Sequence, residues 1–202
     1  MRILLLQLTN FIKFYHIIKH WGKNNYLESA PQFIKEFVFE KYGVTDAPWV
    51  ESGTYLGKTT NFLRKRYPHV YSIEPEFKLY NAASKRFNEK NVTLYNDISE
   101  NVFPKLLKNL YGDVNFWLDG HYSEGITFKG EKDCPVENEL NAIEINWNNF
   151  KKVTILVDDV RCFLPNNSLY SDYPSIDYLV DWARKFKMSW RIEFDIFIMQ
   201  KD

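Results

Sequence analysis

The stretch "GTYLGKTT", residues 53–60, follows the short apolar run "APWVES" (47–52), and its spacing limits the nucleotide-type folds open to this chain. A P-loop places four residues between its first glycine and the Gly-Lys pair. Here only three intervene, Thr54, Tyr55 and Leu56. The dinucleotide fingerprint G-x-G-x-x-G fails as well, because the bulky Tyr55 stands where its second glycine belongs. Gly53 and Gly57 still let a ligand approach the backbone closely, and a helix opening at Lys58 would offer free N–H groups. Glu51, just ahead of the turn, would repel a phosphate. A ligand with a cationic or amine-bearing end suits the turn better.

Outward from this turn the chain alternates. Apolar strand-like runs at 47–52, 70–75, 92–97, 114–120 and 152–159 are separated by helix-period runs at 58–66, 77–87, 100–110 and 135–147. A further helix is expected at 175–186, then strands at 190–195 and 196–200 that run too close together for a helical crossover. This pattern predicts an α/β fold: a Rossmann-like, doubly wound, mostly parallel sheet with an antiparallel C-terminal strand. Two helices precede it, an amphipathic one in "MRILLLQLTNFIKFYHIIKHW" and another at 30–42 with Phe33, Phe37 and Val38 on one face. The expected organisation is a single domain over 1–202, with an N-terminal helical segment (1–45) and an α/β core (46–202).

Ligands of such folds bind at the carboxyl ends of the strands. Each of the five parallel strands ends in an acid: Glu51, Glu74, Asp97, Asp119 and the pair Asp158-Asp159. One or two could be turn or cap residues; one at every end points to a single site. Glu74 lies about 20 residues beyond the glycine turn, where an acid accepts hydrogen bonds from ribose hydroxyls. A nucleoside with an amine-bearing tail and no phosphate describes S-adenosylmethionine. Asp119, Asp158 and Asp159, with no sulfur ligand, suit a hard cation such as Mg2+. His121, beside Asp119, is a proton acceptor or a structural residue.

Composition narrows the partners. The 202 residues are 45% hydrophobic and 17% aromatic, and 26 basic residues balance 26 acidic ones. No positive excess favours nucleic acid or an anionic membrane, so neither is expected as a partner. Cys134 and Cys162 give no zinc spacing and no disulfide framework, consistent with a cytoplasmic protein. The N-terminal run is too short for a signal core and too polar to span a membrane. The apolar N-terminal helices suit a homodimer.

Taken together, "VESGTYLGKTT", "YSIEPE", "VTLYNDIS", "FWLDGHYS" and "ILVDDVR" resemble the class I S-adenosylmethionine-dependent methyltransferases. Within that class they are most similar to the metal-dependent O-methyltransferases of the catechol and macrolide-sugar type. The likeness covers roughly residues 48–165, and the E-x-G-x-Y-x-G-x-[ST] turn is matched by Glu51, Gly53, Tyr55, Gly57 and Thr59. The pattern "FWLDGHYS…CPVENEL…ILVDDVR" is also similar to a group of bacterial and phage methyltransferases of largely unknown substrate.

The resemblance implies that Glu51, Gly53, Thr54, Tyr55, Gly57 and Thr59 line the methionine part and sulfonium of S-adenosylmethionine. Glu74 would hold the ribose, Asp97, Ile98 and Ser99 would border the adenine, and Asp119 would lie beside the cofactor. Asp119, Asp158 and Asp159 would bind Mg2+, with a substrate oxygen completing its coordination. Two positions depart from the catechol type. Tyr122 stands where its general-base lysine would be, which leaves His121 with Asp119 as the catalytic residues, and Asp159 replaces an asparagine. The implied activity is O-methyl transfer to a small molecule or sugar. The competing readings are a cofactor-binding pseudoenzyme that supports a partner and a P-loop phosphotransferase. Arg161 would contact an acidic group on the substrate or pair with a neighbouring acid. The segments 122–132 and 161–175 are the expected substrate walls.

Overall fold

The computed structural model describes residues 14–24, 26, 28–88, 91–120, 134–165 and 172–201. A helical stretch at 14–23 (α1) precedes α2 (Gln32–Tyr42), and the alternating region follows. Its elements are β1 (Trp49–Ser52), α3 (Lys58–Leu63), β2 (Val70–Ile73), α4 (Phe77–Arg86), β3 (Val92–Tyr95) and α5 (Ser99–Leu107). They continue as β4 (Gly112–Leu118), α6 (Val136–Ile145), β5 (Phe150–Val157), α7 (Ile176–Lys185), β6 (Ser189–Glu193) and β7 (Ile196–Lys201). The strands form one sheet in the order β3-β2-β1-β4-β5-β7-β6. Strands β1 to β5 are parallel, whereas β7 runs antiparallel to both β5 and β6. This is the Rossmann-like arrangement the alternation predicts. Strand order reverses between β1 and β4, so the crevice for a ligand opens at their carboxyl ends.

Side chains alternate across each strand, and both faces are covered. Val50, Phe116, Ile155 and Phe197 enter a core with Phe103, Leu140, Ile143 and Leu179 of α5, α6 and α7. Their sequence neighbours Trp49, Trp117, Leu156 and Ile198 enter the opposite core, with Val38, Phe39, Phe62 and Leu63 of α2 and α3. Helix α3 stops at Leu63, short of the expected 66. The N–H of Lys65 and that of Arg66 bond three residues back, at 3.3 and 3.0 Å, and Pro68 disfavours helical geometry at Tyr67.

The inward face of α2 also differs from expectation. Phe37 is 49% exposed, while Lys35, Val38, Phe39 and Tyr42 are buried. The phase is set by Phe39, whose ring meets Trp117 at 4.8 Å, Trp49 at 5.2 Å and Phe62 at 6.0 Å between centroids. A residue four positions earlier shares that face, so docking Phe39 directs Lys35 at the sheet. Among the described residues no helix is long and apolar enough to cross a membrane.

Replacing Phe39 by alanine is expected to cost about 3–5 kcal/mol of stability, as for other buried phenylalanines. Phe37→Ala should stay within about 0.5 kcal/mol of the parent. Urea denaturation of both variants checks the helix phase; equal losses would contradict it.

Candidate active site at the carboxyl ends of the strands

Where β1 meets its turn, backbone geometry dictates residue type. Gly53 has φ 85°, and a Cβ there would lie 2.3 Å from the carbonyl oxygen of Asp119. Glycine therefore lets the ends of β1 and β4 close together. Gly57 is also left-handed, at φ 66°, and a Cβ would strike the Phe87 ring at 2.5 Å. Between them Tyr55 adopts φ 47° and leaves its side chain 48% exposed. Glu74, buried after β2, holds this turn. Its Oε2 accepts the Tyr55 N–H at 2.7 Å and its Oε1 accepts the Glu76 N–H at 3.0 Å. Burial raises its pKa, against the pull of those two N–H groups. Thr54 is tied to Ser72 (Oγ1 to Oγ, 2.6 Å), and Gln32 of α2 donates to Thr59 Oγ1 at 3.4 Å. Lys58, the apparent P-loop lysine, is exposed.

Glu51 lies fully buried beneath the turn. Its Oε2 accepts from the hydroxyls of Thr60 and Ser72, both at 2.6 Å, while Oε1 has no hydrogen-bond partner. Burial pushes its pKa up to about 8, with the two hydroxyls opposing and Asp119 and Glu74 adding to the rise. Burial thus favours the protonated form, which weakens the phosphate repulsion expected from this residue. The three-residue spacing is what separates this turn from a P-loop. Thr60 and Ser72 were not among the expected site residues; the local signal was a second threonine one position past the motif.

The three expected metal ligands do converge. Asp119 follows β4 and Asp158-Asp159 follow β5, and one ligand atom from each lies within 4.8 Å of the others. Two cations already serve them. The Lys35 ammonium contacts Asp158 Oδ2 and lies 3.6 Å from Asp119 Oδ2. It also sits 5.3 Å from the Trp117 ring centre. Burial alone would lower the Lys35 pKa, but Asp119, Asp158 and Asp159 outweigh it and hold the group protonated. Arg161 binds Asp159 Oδ1 at 2.6 Å and also contacts Asp195, from the turn between β6 and β7. Of its two expected roles, Arg161 takes the pairing with neighbouring acids. Asp159 itself adopts φ 58° and starts a short 3-10 turn. Asp158 Oδ1 is buried without a hydrogen-bond partner. In number and type the carboxylates fit a hard divalent cation, although a lysine already approaches two of them.

Sequence reasoning missed Lys35 and Glu139. Glu139 of α6 is buried near the Ser99 and Ser52 hydroxyls, with Oε1 unpartnered. Burial raises its pKa to about 7, with those hydroxyls opposing. Glu139 lines a small pocket with Gly120, Asp158, Phe163 and Tyr173. Both residues stand on buried helical stripes, Lys35 with Val38, Phe39 and Tyr42, and Glu139 with Val136, Leu140 and Ile143. A charge on such a stripe was the available signal. Asp97 is engaged locally: its Oδ1 accepts from Ile98 N–H (2.8 Å) and from the Asn101 side-chain amide (2.9 Å), just before α5. His121 and the segment 122–132 lie outside the described residues, as do residues 166–171 of the second expected wall.

The Glu51 pKa has a measurable consequence. The native state holds this proton more tightly than the unfolded chain, whose carboxyl titrates near 4.5. Stability should therefore fall as pH rises from about 4.5 to about 8 and level off above. Glu51→Gln preserves the acceptor for Thr60 and Ser72 and removes the proton. Denaturation midpoints between pH 5 and 8, on the order of the window just given, should decline less in this variant than in the parent. Identical slopes would refute the assignment.

No family model matches the sequence, and no curated protein is significantly similar to it. Solved structures are similar at the level of fold. The 23S rRNA methyltransferase ErmE aligns with a TM-score of 0.53 and 12% identity, over 85% of this chain and 68% of that one. An rRNA-methylase candidate from Clostridium thermocellum gives 0.51 and 12%, over 82% and 93%. A Streptococcus mutans protein assigned to the methyltransferases, in complex with SAH, gives 0.50 and 13%, over 84% and 96%. With its sheet order and antiparallel β7, this chain has the fold of the class I S-adenosylmethionine-dependent methyltransferases.

Proposed function

We propose that the chain is an S-adenosylmethionine-dependent O-methyltransferase acting on a hydroxyl of a small molecule or sugar. The observation that carries this reading is the meeting of the glycine turn, Glu74 and Asp119 at the reversal of strand order. There Glu74 orders the turn through the Tyr55 N–H and keeps further lone pairs for a ribose diol. Tyr55 and Thr59 face the amino-acid tail, and Asp97, Ile98 and Ser99 border the base. The S. mutans protein of the same fold carries SAH, which supports the choice of cofactor.

Methyl transfer is an in-line displacement. The acceptor oxygen attacks the methyl carbon; a C–O bond forms as the C–S bond breaks, and S-adenosylhomocysteine leaves. Holding the two reactants in attack geometry can supply roughly 7–11 kcal/mol of the barrier. The acceptor's proton passes to a base, for which we propose His121, two residues after Asp119 in the chain. Asp119, Asp158 and Asp159 are the residues that would hold Mg2+, which when bound stabilises negative charge growing on the acceptor oxygen. Two of the similar structures carry rRNA names. A net charge of zero and an acid-lined site oppose a polyanionic acceptor here.

Calorimetry should show binding of S-adenosylmethionine and S-adenosylhomocysteine but not of ATP. Glu74→Ala should weaken that binding by about 10- to 100-fold, the loss of a charge-assisted hydrogen bond. Tight ATP binding with no affinity for S-adenosylmethionine would overturn the reading. A labelled-methyl assay over phenols, sugars and short RNAs tests the acceptor class. Within it, the double variant Asp158→Ala, Asp159→Ala should lose turnover; an unchanged rate would remove the metal from the proposal.

A further inference from the structure

Helix α2 delivers an ammonium group to the place where a metal ion would bind. Lys35 is 9% exposed, its Nζ contacts Asp158 Oδ2, and it lies 3.6 Å from Asp119 Oδ2. These are two of the three carboxylates whose ligand atoms gather within 4.8 Å. Asp159, the third, is paired with Arg161, so the two cations divide the acids between them. Yet the lysine leaves the site unfinished, because Asp158 Oδ1 remains buried with no hydrogen-bond partner. One oxygen of the same carboxylate is neutralised and the other is held out of water with nothing to bind.

We infer that Lys35 is the resident cation of the three-carboxylate site, and that a divalent ion enters only by displacing its ammonium group. This rests on the proposal that Asp119, Asp158 and Asp159 are metal ligands. An ion held by Asp119 and Asp158 would occupy the space between the oxygens that Lys35 now approaches, and like charges at that separation repel strongly in a buried setting. Lysine suits such a role: its flexible stem of four carbons can carry the charge away without moving the helix. The carboxylates then exchange one cation for another and are never left together uncompensated. Metal affinity is accordingly set by a competition within the chain, and the parent protein binds the ion weakly.

Titration of Mn2+ and of Mg2+ into the protein without cofactor or acceptor tests this by calorimetry. Lys35→Gln should bind Mn2+ at least about tenfold more tightly than the parent, since the competing charge is gone. Lys35→Arg, which keeps the charge, should stay near the parent. Thermal melts supply a second readout that survives poor folding of the glutamine variant. In EDTA it should melt below the parent, and Mn2+ should raise its melting temperature by more than it raises the parent's. Equal affinities for the parent and Lys35→Gln, or tighter binding by the parent, would overturn the inference and leave the metal ligands standing. If neither protein binds and neither melt responds, the inference falls together with the metal part of the proposed function.

Discussion

Among the described residues, the six carboxyl groups of Glu51, Glu74, Asp119, Glu139, Asp158 and Asp159 crowd one end of this sheet, and five of them are buried. They cannot all be charged there without compensation, because burial strips the water that would screen them. The molecule answers in three ways. Glu51 and Glu139 have their pKa raised to about 8 and about 7, so that protonation removes charge. Glu74 is met by two backbone N–H groups. Asp158 and Asp159 receive side-chain cations, Lys35 and Arg161. Asp119, the least buried of the six, stands between the groups answered in different ways and contributes to the shifts of Lys35, Glu51 and Glu139.

The topology makes this crowding unavoidable and also supplies its remedy. Five parallel strands bring all their carboxyl ends to one edge, and the reversal between β1 and β4 opens the crevice where chemistry can be placed. The countercharge has to arrive from another layer. Helix α2 brings it, fixed by Phe39 against Trp49 and Trp117. Docking by aromatic rings and delivery of the ammonium are thus one event on one helix face. A buried pair of this kind adds little net stability compared with apolar packing, but removing one partner typically costs about 3–5 kcal/mol. Such a pair serves control of a site better than reinforcement of a fold.

Much of the fold was legible in the sequence because its signals are local. Valine- and isoleucine-rich runs broken by helix-period segments identify parallel strands, and two strands with no room for a crossover must pair antiparallel, as β6 and β7 do. The strand-end acids were legible for the same reason, and the Asp119, Asp158 and Asp159 cluster followed from the adjacency of β4 and β5. The helix phase was harder. Phe33, Phe37 and Val38 made a plausible stripe, and only the partner rings in β1, β4 and α3 select Phe39 instead. Lys35 and Asp158 lie 123 positions apart, so no spacing rule connects them. Asp97 keeps to its own neighbourhood: its Oδ1 is engaged by Ile98 N–H and Asn101, apart from the crowded acids of the other strand ends.

The two side-chain cations are not equivalent, and the difference organises the site. Arg161 sits two residues from its partner Asp159 and contacts Asp195 as well, so one guanidinium ties the end of β5 to the turn between β6 and β7. Its planar fork is preorganised for two carboxylates and never loses its proton. Moving it would break two pairs and loosen the antiparallel edge of the sheet. Lys35 comes from outside the sheet, on helix α2, and carries its charge as a single point at the end of a flexible stem. Its loss from the site would leave α2 docked through Phe39 and the sheet intact. The acids at β5 are therefore held by one fixed cation, which is part of the fold, and one replaceable cation, which is part of the site.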